Sequence, residues 1–337
     1  MRSGWLIPTC SVGIVLGLAS ILGVSLSGQT PASQTKTATK TSVPKNWTPP
    51  RTAWGDPDLQ GQWNSQTSTP LERPLTGPLA GKETVSDEEA ETLETKHLGS
   101  FDNAPQAGDP GTYNAFWRDP GRALTRTSLI VDPPDGRVPA LTPEARTRAE
   151  AERADRSTRG PADTYEDMSS WTRCISRGWN GIGSDYSSNY QIFQSPGYVV
   201  VLQELIHESR IIPLTTTRPH LPQDVKQWMG DSRGHWDGNT LVVETTNFDP
   251  RTNFRGSRDG LHLVERYTRT APDVIDYQFT VDDPKTFTRP FTVSRPMRRE
   301  TDGILVFEYA CHEGNYAMAN ILKGARAQEK AAVNGRK

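Results

Sequence analysis

The feature that most constrains this chain is a series of short, β-rich segments in its C-terminal half. From position 189 onward, runs rich in Val, Ile, Thr, Tyr and Phe are separated by Gly, Pro, Asp or Asn. Connections such as Asp237-Gly238-Asn239 are too short to hold crossover helices, so neighbouring strands are expected to pair antiparallel. The pattern predicts strands at Tyr190–Gln194, Tyr198–His207, Arg210–Leu214, Thr240–Phe248, Leu261–Arg269, Val274–Val281, Phe291–Arg295 and Ile304–His312.

Together with an early strand at Gln62, these segments predict a mainly β fold, an antiparallel meander closed into a lipocalin-like barrel or packed as a two-sheet sandwich. Closure is favoured because it removes exposed sheet edges. Gly61-x-Trp63 is similar to the opening of lipocalin-like barrels, in which the Trp plugs one end. A C-terminal helix at 315–329 is expected to cover one end of the barrel.

The N-terminus carries the features of a secretory signal peptide. Arg2 precedes an apolar run at Val12–Leu26, and small residues before Gly28 form a cleavage site, which predicts a signal peptide at 1–27. An uncleaved signal anchor is the alternative. Cys10 lies before the apolar run, so no lipobox is present. We therefore expect a periplasmic or secreted protein without stable membrane insertion after cleavage.

The rest of the chain is expected to hold one folded domain. Residues 28–50 are rich in Thr, Ser and Pro and predict a disordered linker, followed by a single β-barrel-like domain at 51–330 and a tail at 331–337. Within the domain, 64–188 is expected to be a helical and loop excursion. Capping signals predict helices over Ser86–His97 and Thr142–Arg159, and 128–131 with 138–141 resemble a hairpin.

Export leaves two cysteines in the mature chain. In an oxidising compartment, Cys174 and Cys311 are expected to form a disulfide, and two separate buried thiols are the alternative.

Three motifs carry a resemblance to a family of exported bacterial proteins. They are WGDPDLQG at 54–61, WMGDSRGHW at 228–236 with TLVVETTNF at 240–248, and EYACHEGNY at 308–316. The chain resembles that family over most of residues 50–330. The resemblance implies export and a single domain, and it transfers no reaction and no catalytic residue.

The densest polar cluster, at 308–316, supplies candidate catalytic residues. His312 beside Glu313 predicts an acid/base pair at a strand end near the barrel mouth, and Asn315 and Tyr316 are expected to contact a ligand there. The alternative is structural: Asn315 caps the following helix and His312 bonds a loop carbonyl.

A second cluster, His207-Glu208-Ser209-Arg210, follows an apolar strand. Two-residue alternation predicts His207 on the same face as Val199 and Val201, and Glu208 on the opposite face. His207 is the third proton-handling candidate, and an ionisable side chain of this cluster that lies inside is expected to pair with Glu265 or Arg266 on a later strand. A buried structural pair of Glu and Arg is the alternative.

Aromatic and cationic residues complete the predicted ligand site. Arg233 is expected to bind a carboxylate or hydroxyl beside Trp236, and Trp117 and Trp179 to add aromatic walls. Alternatively, Trp236 plugs the barrel and Arg233 covers it through a cation–π contact.

Charge and motifs exclude several function classes. With 38 Lys and Arg against 40 Asp and Glu, the net charge of −2 does not indicate nucleic acid as a partner. The six His have no metal-ligand spacing, and no nucleotide or other cofactor motif occurs. The sequence therefore predicts an exported barrel that handles a small molecule, by hydrolase, lyase or isomerase chemistry or as a non-catalytic carrier. An envelope structural protein is a third hypothesis, and no oligomeric state is indicated.

Overall fold

The computed structural model describes residues 47–104, 114–118, 121–160, 162–179, 188–252, 254–299 and 306–334. The chain divides after Ser42 into two units, of which Met1–Ser42 lies outside the described residues. The predicted signal peptide and the first part of the predicted linker therefore also lie outside them. The second unit, Val43–Lys337, contains all the elements that follow.

A single antiparallel sheet forms the body of this unit. Its strands are β1 (Gly61–Asn64), β2 (Ile130–Asp132), β3 (Asn189–Ser195), β4 (Tyr198–Gln203), β5 (Glu208–Pro213), β6 (Asp231–Asp237), β7 (Thr240–Thr246), β8 (His262–Ala271), β9 (Val274–Asp282) and β10 (Phe291–Arg299). Their hydrogen-bonded order is β5-β4-β3-β1-β10-β9-β8-β7-β6, and β2 pairs with β10 beside this path. Every neighbouring pair is antiparallel.

The two ends of this order meet and close the sheet. Thr215 N donates to Gly234 O at 2.8 Å, and Leu214 forms a parallel bridge with Gly234, so β5 lies beside β6. Gly234 permits this approach, because a Cβ there would lie 2.9 Å from Ile212 Cγ2. The predicted mainly β fold, an antiparallel meander closed into a barrel, is thus confirmed, and the sandwich alternative does not form.

Two-residue alternation places the core inside the barrel. β9 alternates strictly, with Ile275, Tyr277, Phe279 and Val281 buried and their neighbours half-buried. Trp63 is fully buried, and its Nε1 donates to Leu59 O at 2.8 Å.

The guanidinium groups of Arg269 and Arg299 lie 5.6 and 5.0 Å from the Trp63 ring. Arg269 is near the turn that joins β8 to β9, so Trp63 fills the interior towards that end, the role that Gly61-x-Trp63 predicts.

The described residues contain three α-helices: α1 (Asp87–Ser100), α2 (Pro143–Ser157) and α3 (Tyr316–Asn334). Short 3-10 helices occupy Ala115–Trp117, Tyr165–Asp167 and Leu205–His207. The capping box that predicts α1 is present, since Ser86 and Glu89 bond each other's backbone N–H. Among the helices that the structure describes, none has the length and apolarity needed to cross a bilayer.

Three elements differ from the sequence predictions. The strand predicted at Ile304–His312 is wrong over its described part, 306–312, because β1 already occupies the free edge of β10. β6 is absent from the predicted strands: Asp, Ser and Gly have low strand propensity, but pairing with β7 overrides that propensity. The segment at 128–131 does not form a hairpin with 138–141: Ile130 pairs with Val293, and Leu141 bridges Phe287.

Candidate functional site

An ion pair lies inside the barrel, between β5 and β8. Arg210 Nη1 donates to Glu265 Oε2 at 2.5 Å, and Arg210 Nη2 donates to Glu265 Oε1 at 2.9 Å. Glu265 is fully buried and Arg210 is 6% exposed. Side chains alternate between the two faces of β8, and Glu265 points inwards together with Leu263 and Tyr267. A strand of the apolar core therefore also places a carboxylate in the barrel interior.

Three further donors surround Glu265 Oε1. The hydroxyls of Tyr267 and Tyr277 each donate to it at 2.8 Å, and Trp179 Nε1 donates at 3.2 Å. Burial by itself would raise the pKa of Glu265, but the charge of Arg210 and the hydrogen bonds outweigh burial and lower the pKa. Burial, followed by the Glu265 charge, raises the pKa of both tyrosines. The carboxylate is therefore ionised and saturated with donors, and the phenols are neutral.

A small cavity of about 30 Å³ adjoins this network. It lies towards the end of the barrel where β1 and β4 finish and β6 begins, which we call the Trp179 end. Such a volume holds about one or two water molecules, whereas sites for organic ligands are roughly 300–1,000 Å³. The cavity next to Glu265 is therefore too small for an organic ligand as long as Trp179 stays in place. The cavity is lined by Ser65, Trp179, Tyr190, Val201, Gln203, Arg210, Met229, Glu265, Tyr267, Tyr277 and Met297.

The indole of Trp179 forms an aromatic wall of the cavity. Its ring packs edge-to-face against Phe254 at 5.1 Å and against Phe279 at 4.6 Å between centroids. Trp179 belongs to none of the strands and remains half-buried. A flat ring from a loop thus occupies the space between two aromatic side chains and a buried carboxylate.

Two anchors hold the loop that carries Trp179. Cys174 forms a disulfide with Cys311, which confirms the predicted pairing. Ser176 Oγ lies 2.8 Å from both carboxylate oxygens of Glu208, and Gln203 Nε2 donates to Glu208 Oε2 at 3.4 Å.

The pKa of Glu208 is displaced in the opposite direction from that of Glu265. Burial raises the pKa of Glu208, although hydrogen bonds from Ser176, the Arg177 backbone and Gln203 act in the opposite direction. The same strand face therefore presents a carboxyl group with a raised pKa next to Arg210.

The predicted catalytic residues do not line this cavity. His312 and Glu313 are exposed in the loop that precedes α3, and His207 is exposed in the turn before β5. Of the two faces that this cluster presents, it is the face of Glu208 and Arg210, not that of His207, that turns towards the interior. Ile206 and His207 adopt positive φ of 63° and 54°, so the turn resets the alternation and directs Glu208 and Arg210 inwards.

The predicted ligand-binding residues are dispersed. Glu265 lines the cavity, as described above. Arg233 and Trp236 lie three positions apart on β6, so their side chains point to opposite faces, and the expected joint site and the cation–π alternative both fail. Arg233 Nη1 instead donates to Asp231 Oδ1 at 2.7 Å, while Trp236 packs against the core.

The remaining predicted contacts lie outside the barrel interior or are not described. Asn315 Nδ2 donates to Thr172 O at 3.2 Å, which fixes the C-terminal segment to the Trp179 loop. Tyr316 is exposed. Trp117 is the last residue of a 3-10 helix, and its side chain lies outside the described set.

One polar pair was not anticipated from the sequence. His220 Nδ1 lies 3.0 Å from Asp231 Oδ2, and the same oxygen accepts the Leu221 N–H at 3.0 Å. Burial acts to raise the pKa of Asp231, but these hydrogen bonds and Arg233 lower it. Within the described ranges, no three His, Cys, Asp or Glu side chains lie together as a metal site.

Comparisons with known proteins add little to this geometry. No protein-family model matches the chain, and no curated protein matches it. Among solved structures, the chain is similar to the crystal structure of a mutant of the fluorescent protein UnaG, with 15% identity and a TM-score of 0.23 over 39% of this chain and 86% of that chain. A TM-score this low supports no argument about function, so the site must be interpreted from its own side chains.

Proposed function

We propose that this protein is an exported small-molecule-binding barrel, and that its ligand binds at the Trp179 end by taking the place of the Trp179 indole. The observation that carries the proposal is the hydrogen bond from Trp179 Nε1 to the buried Glu265, made by a ring held between Phe254 and Phe279. These three groups define a slot for a flat aromatic or heteroaromatic molecule with an N–H or O–H donor.

The chemistry of the interior favours a binding role over a purely structural one. Replacing a buried ion pair with apolar residues is often neutral or stabilising. Fold stability alone therefore does not account for Arg210 and Glu265 in the barrel interior. Buried ionisable groups next to a cavity are characteristic of functional sites. The cavity of about 30 Å³ gains the volume of an indole ring when Trp179 moves aside.

The proposed export rests on two observations. The sequence at 1–27 has the n-region, apolar run and cleavage site of a signal peptide. The Cys174–Cys311 disulfide is typical of proteins that mature in an oxidising compartment.

Indole itself provides the test. In Trp179→Ala, added indole is expected to bind the vacated slot and raise the Tm by several degrees, because a ligand that binds only the folded state stabilises it by about 2.7 kcal/mol at 100 times its Kd. Trp54→Ala, which removes an exposed Trp, is the matched control and should show no such increase.

Displacement in the wild-type protein is tested by ¹⁹F NMR. With 5-fluorotryptophan incorporated, the Trp179 signal is assigned from its loss in Trp179→Phe. Bicyclic heteroaromatic compounds with an N–H donor are expected to shift this signal and not that of Trp54. The proposal would be refuted if folded Trp179→Ala showed no increase in Tm with indole. It would also be refuted if none of these compounds shifted the ¹⁹F signal of Trp179 in the wild-type protein.

A second function, acid/base catalysis, is favoured by one observation. Glu208 and Glu265 lie near the same end of the barrel with pKa values displaced in opposite directions. Such divergence is how enzymes assign acid and base roles to two carboxyl groups. In this version Glu208 is the proton donor, while His312, Glu313 and His207 remain predictions without a contact to the cavity. Chemical conversion of a ligand that displaces Trp179, lost in Glu208→Gln, would distinguish an enzyme from a carrier.

A further inference from the structure

A second cavity, of about 380 Å³, lies outside the barrel interior. It is enclosed by α1 and by the segments 68–70 and 123–127, which run beside the sheet. Its volume falls within the range of roughly 300–1,000 Å³ that is usual for small-molecule sites. The lining residues are Ser68, Thr69, Pro70, Leu79, Val85, Leu93, Lys96, His97, Ser100, Ala123, Leu124, Arg126 and Thr127.

The walls of this outer cavity are mainly apolar. Leu93 lies on the same face of α1 as Lys96 and His97, since residues three and four apart are neighbours on a helix. Leu93 is half-buried and lines the cavity. Leu124 packs against the barrel core on the opposite side. An aliphatic chain is the complement of such walls.

Positive charge is concentrated at one side of the outer cavity. Arg126 Nη2 donates to Ser294 O and, at 3.2 Å, to Ser294 Oγ, which fixes the guanidinium in place. Arg126 is half-buried and lines the cavity. Lys96 adds a second cation at the rim. An anionic group in the cavity would therefore lie beside two cationic side chains and pair with them.

The nearby carboxylates do not fill that role. Asp276 interacts with Arg126 only at longer range and accepts from Ser294 Oγ at 3.3 Å. Glu94 Oε2 accepts from the Ala123 N–H at 3.3 Å. Neither carboxylate lines the outer cavity.

We propose that the outer cavity binds a medium-chain amphipathic carboxylate, with its head group on Arg126 and Lys96 and its chain against Leu79, Leu93 and Leu124. The carboxylate pairs with the cationic side chains of Arg126 and Lys96, and Ser294 holds the Arg126 guanidinium in place for that contact. The site is independent of Trp179 and of the barrel interior.

The probe is decanoate, with decanol as its uncharged counterpart of equal length. Isothermal titration of the full chain is expected to show one decanoate site and binding of decanol at least tenfold weaker. Arg126→Met keeps the aliphatic stem but removes the guanidinium, and it should weaken decanoate binding at least tenfold. Arg146→Met, an exposed Arg on α2, is the matched control and should bind as wild type does.

A second variant keeps the test decisive if Arg126→Met does not fold. Leu93→Trp fills the cavity from the exposed helix and should abolish decanoate binding without loss of the fold. Trp179→Ala should bind decanoate normally, so failure of this inference is separable from failure of the proposed function. No decanoate binding, equal binding of decanol, or unchanged binding by Arg126→Met or Leu93→Trp would overturn the assignment.

Discussion

Arg210 and Glu265, separated by 55 residues in sequence, meet through two hydrogen bonds of 2.5 and 2.9 Å inside the barrel. The pair joins β5, at one end of the sheet order, to β8, the third strand from the other end. Removing two charges from water costs several kcal/mol per ion, and the four donors around Glu265 offset that cost. The pair therefore constrains how the barrel closes and places a carboxylate next to the cavity.

Removing one partner of this pair should destabilise the fold strongly. Glu265→Gln is expected to lower the free energy of unfolding by about 3–5 kcal/mol, because it leaves the Arg210 charge buried without a counter-ion. Urea unfolding monitored by circular dichroism measures the loss. The double variant Arg210→Met with Glu265→Gln should lose less than the sum of the two single variants. Additive losses would mean that the two side chains do not interact energetically.

The pH dependence of stability should reveal the raised pKa of Glu208. The folded state favours the protonated carboxyl, so the stabilising contribution is complete below the unfolded pKa and is lost as pH rises through the folded pKa. Glutamine resembles the protonated form and does not titrate. The stability of Glu208→Gln relative to wild type is therefore expected to increase from pH 4 to pH 7, measured by urea unfolding at each pH.

Asp231→Asn is the opposing control for Glu208. The pKa of Asp231 is lowered in the folded state, so its contribution is present at neutral pH and is lost as pH falls through that pKa. The difference in the free energy of unfolding between wild type and Asp231→Asn should therefore become smaller as the pH is lowered. Parallel pH trends in the two variants would contradict the assignment of opposite pKa shifts.

The disulfide should contribute measurably to stability. Cys174 and Cys311 are 137 residues apart, and removal of a native disulfide typically costs about 2–5 kcal/mol. Cys174→Ser with Cys311→Ser is expected to unfold at lower urea concentration than wild type, and a reducing agent should give wild type the same midpoint. If neither the double substitution nor the reducing agent changed the urea midpoint, the disulfide would make no measurable contribution to the free energy of unfolding.

The sequence predicts the barrel because its strongest signals are local. In β8 and β9, apolar residues recur at every second position, which shows which side chains face the core. The short turns between strands show that neighbouring strands run antiparallel. Neither inference needs information about residues distant in sequence. The capping box of Ser86 and Glu89 and the Gly61-x-Trp63 motif are equally local. Features of this kind depend on residues close together in sequence, and the structure contains them as predicted.

The site is harder to predict because it depends on a strained turn and on a loop. Two-residue alternation continued from β4 places His207 on the face of Val199 and Val201, but two left-handed residues shift the register, and Arg210 is the inward residue instead. Trp179 reaches Glu265 from a loop that no periodicity constrains. One signal was accessible: an acidic residue on the inward face of β8 demands a buried cationic partner.

Closure of the barrel at β5 and β6 should depend on Gly234. In Gly234→Ala the new Cβ would lie 2.9 Å from Ile212 Cγ2 and 3.0 Å from Leu214 Cδ2, so β5 and β6 must separate or repack. Overpacking of this kind typically costs about 1–3 kcal/mol. Gly99→Ala, in α1 with no neighbouring atom within 4 Å of the added Cβ, is the matched control and should be neutral or slightly stabilising.

Hydrogen exchange locates the effect of Gly234→Ala. The Thr215 amide donates to Gly234 O across the junction, whereas the amides that pair β8 with β9 are separated from it by the β6–β7 and β7–β8 pairs. If β5 and β6 separate locally, Thr215 should exchange faster while the β8–β9 amides keep their protection relative to global stability. Unchanged exchange at Thr215 together with wild-type stability would mean that the barrel does not rely on this contact to close, and that the hydrogen bonds from β5 through β10 to β6 hold the sheet in its curved form.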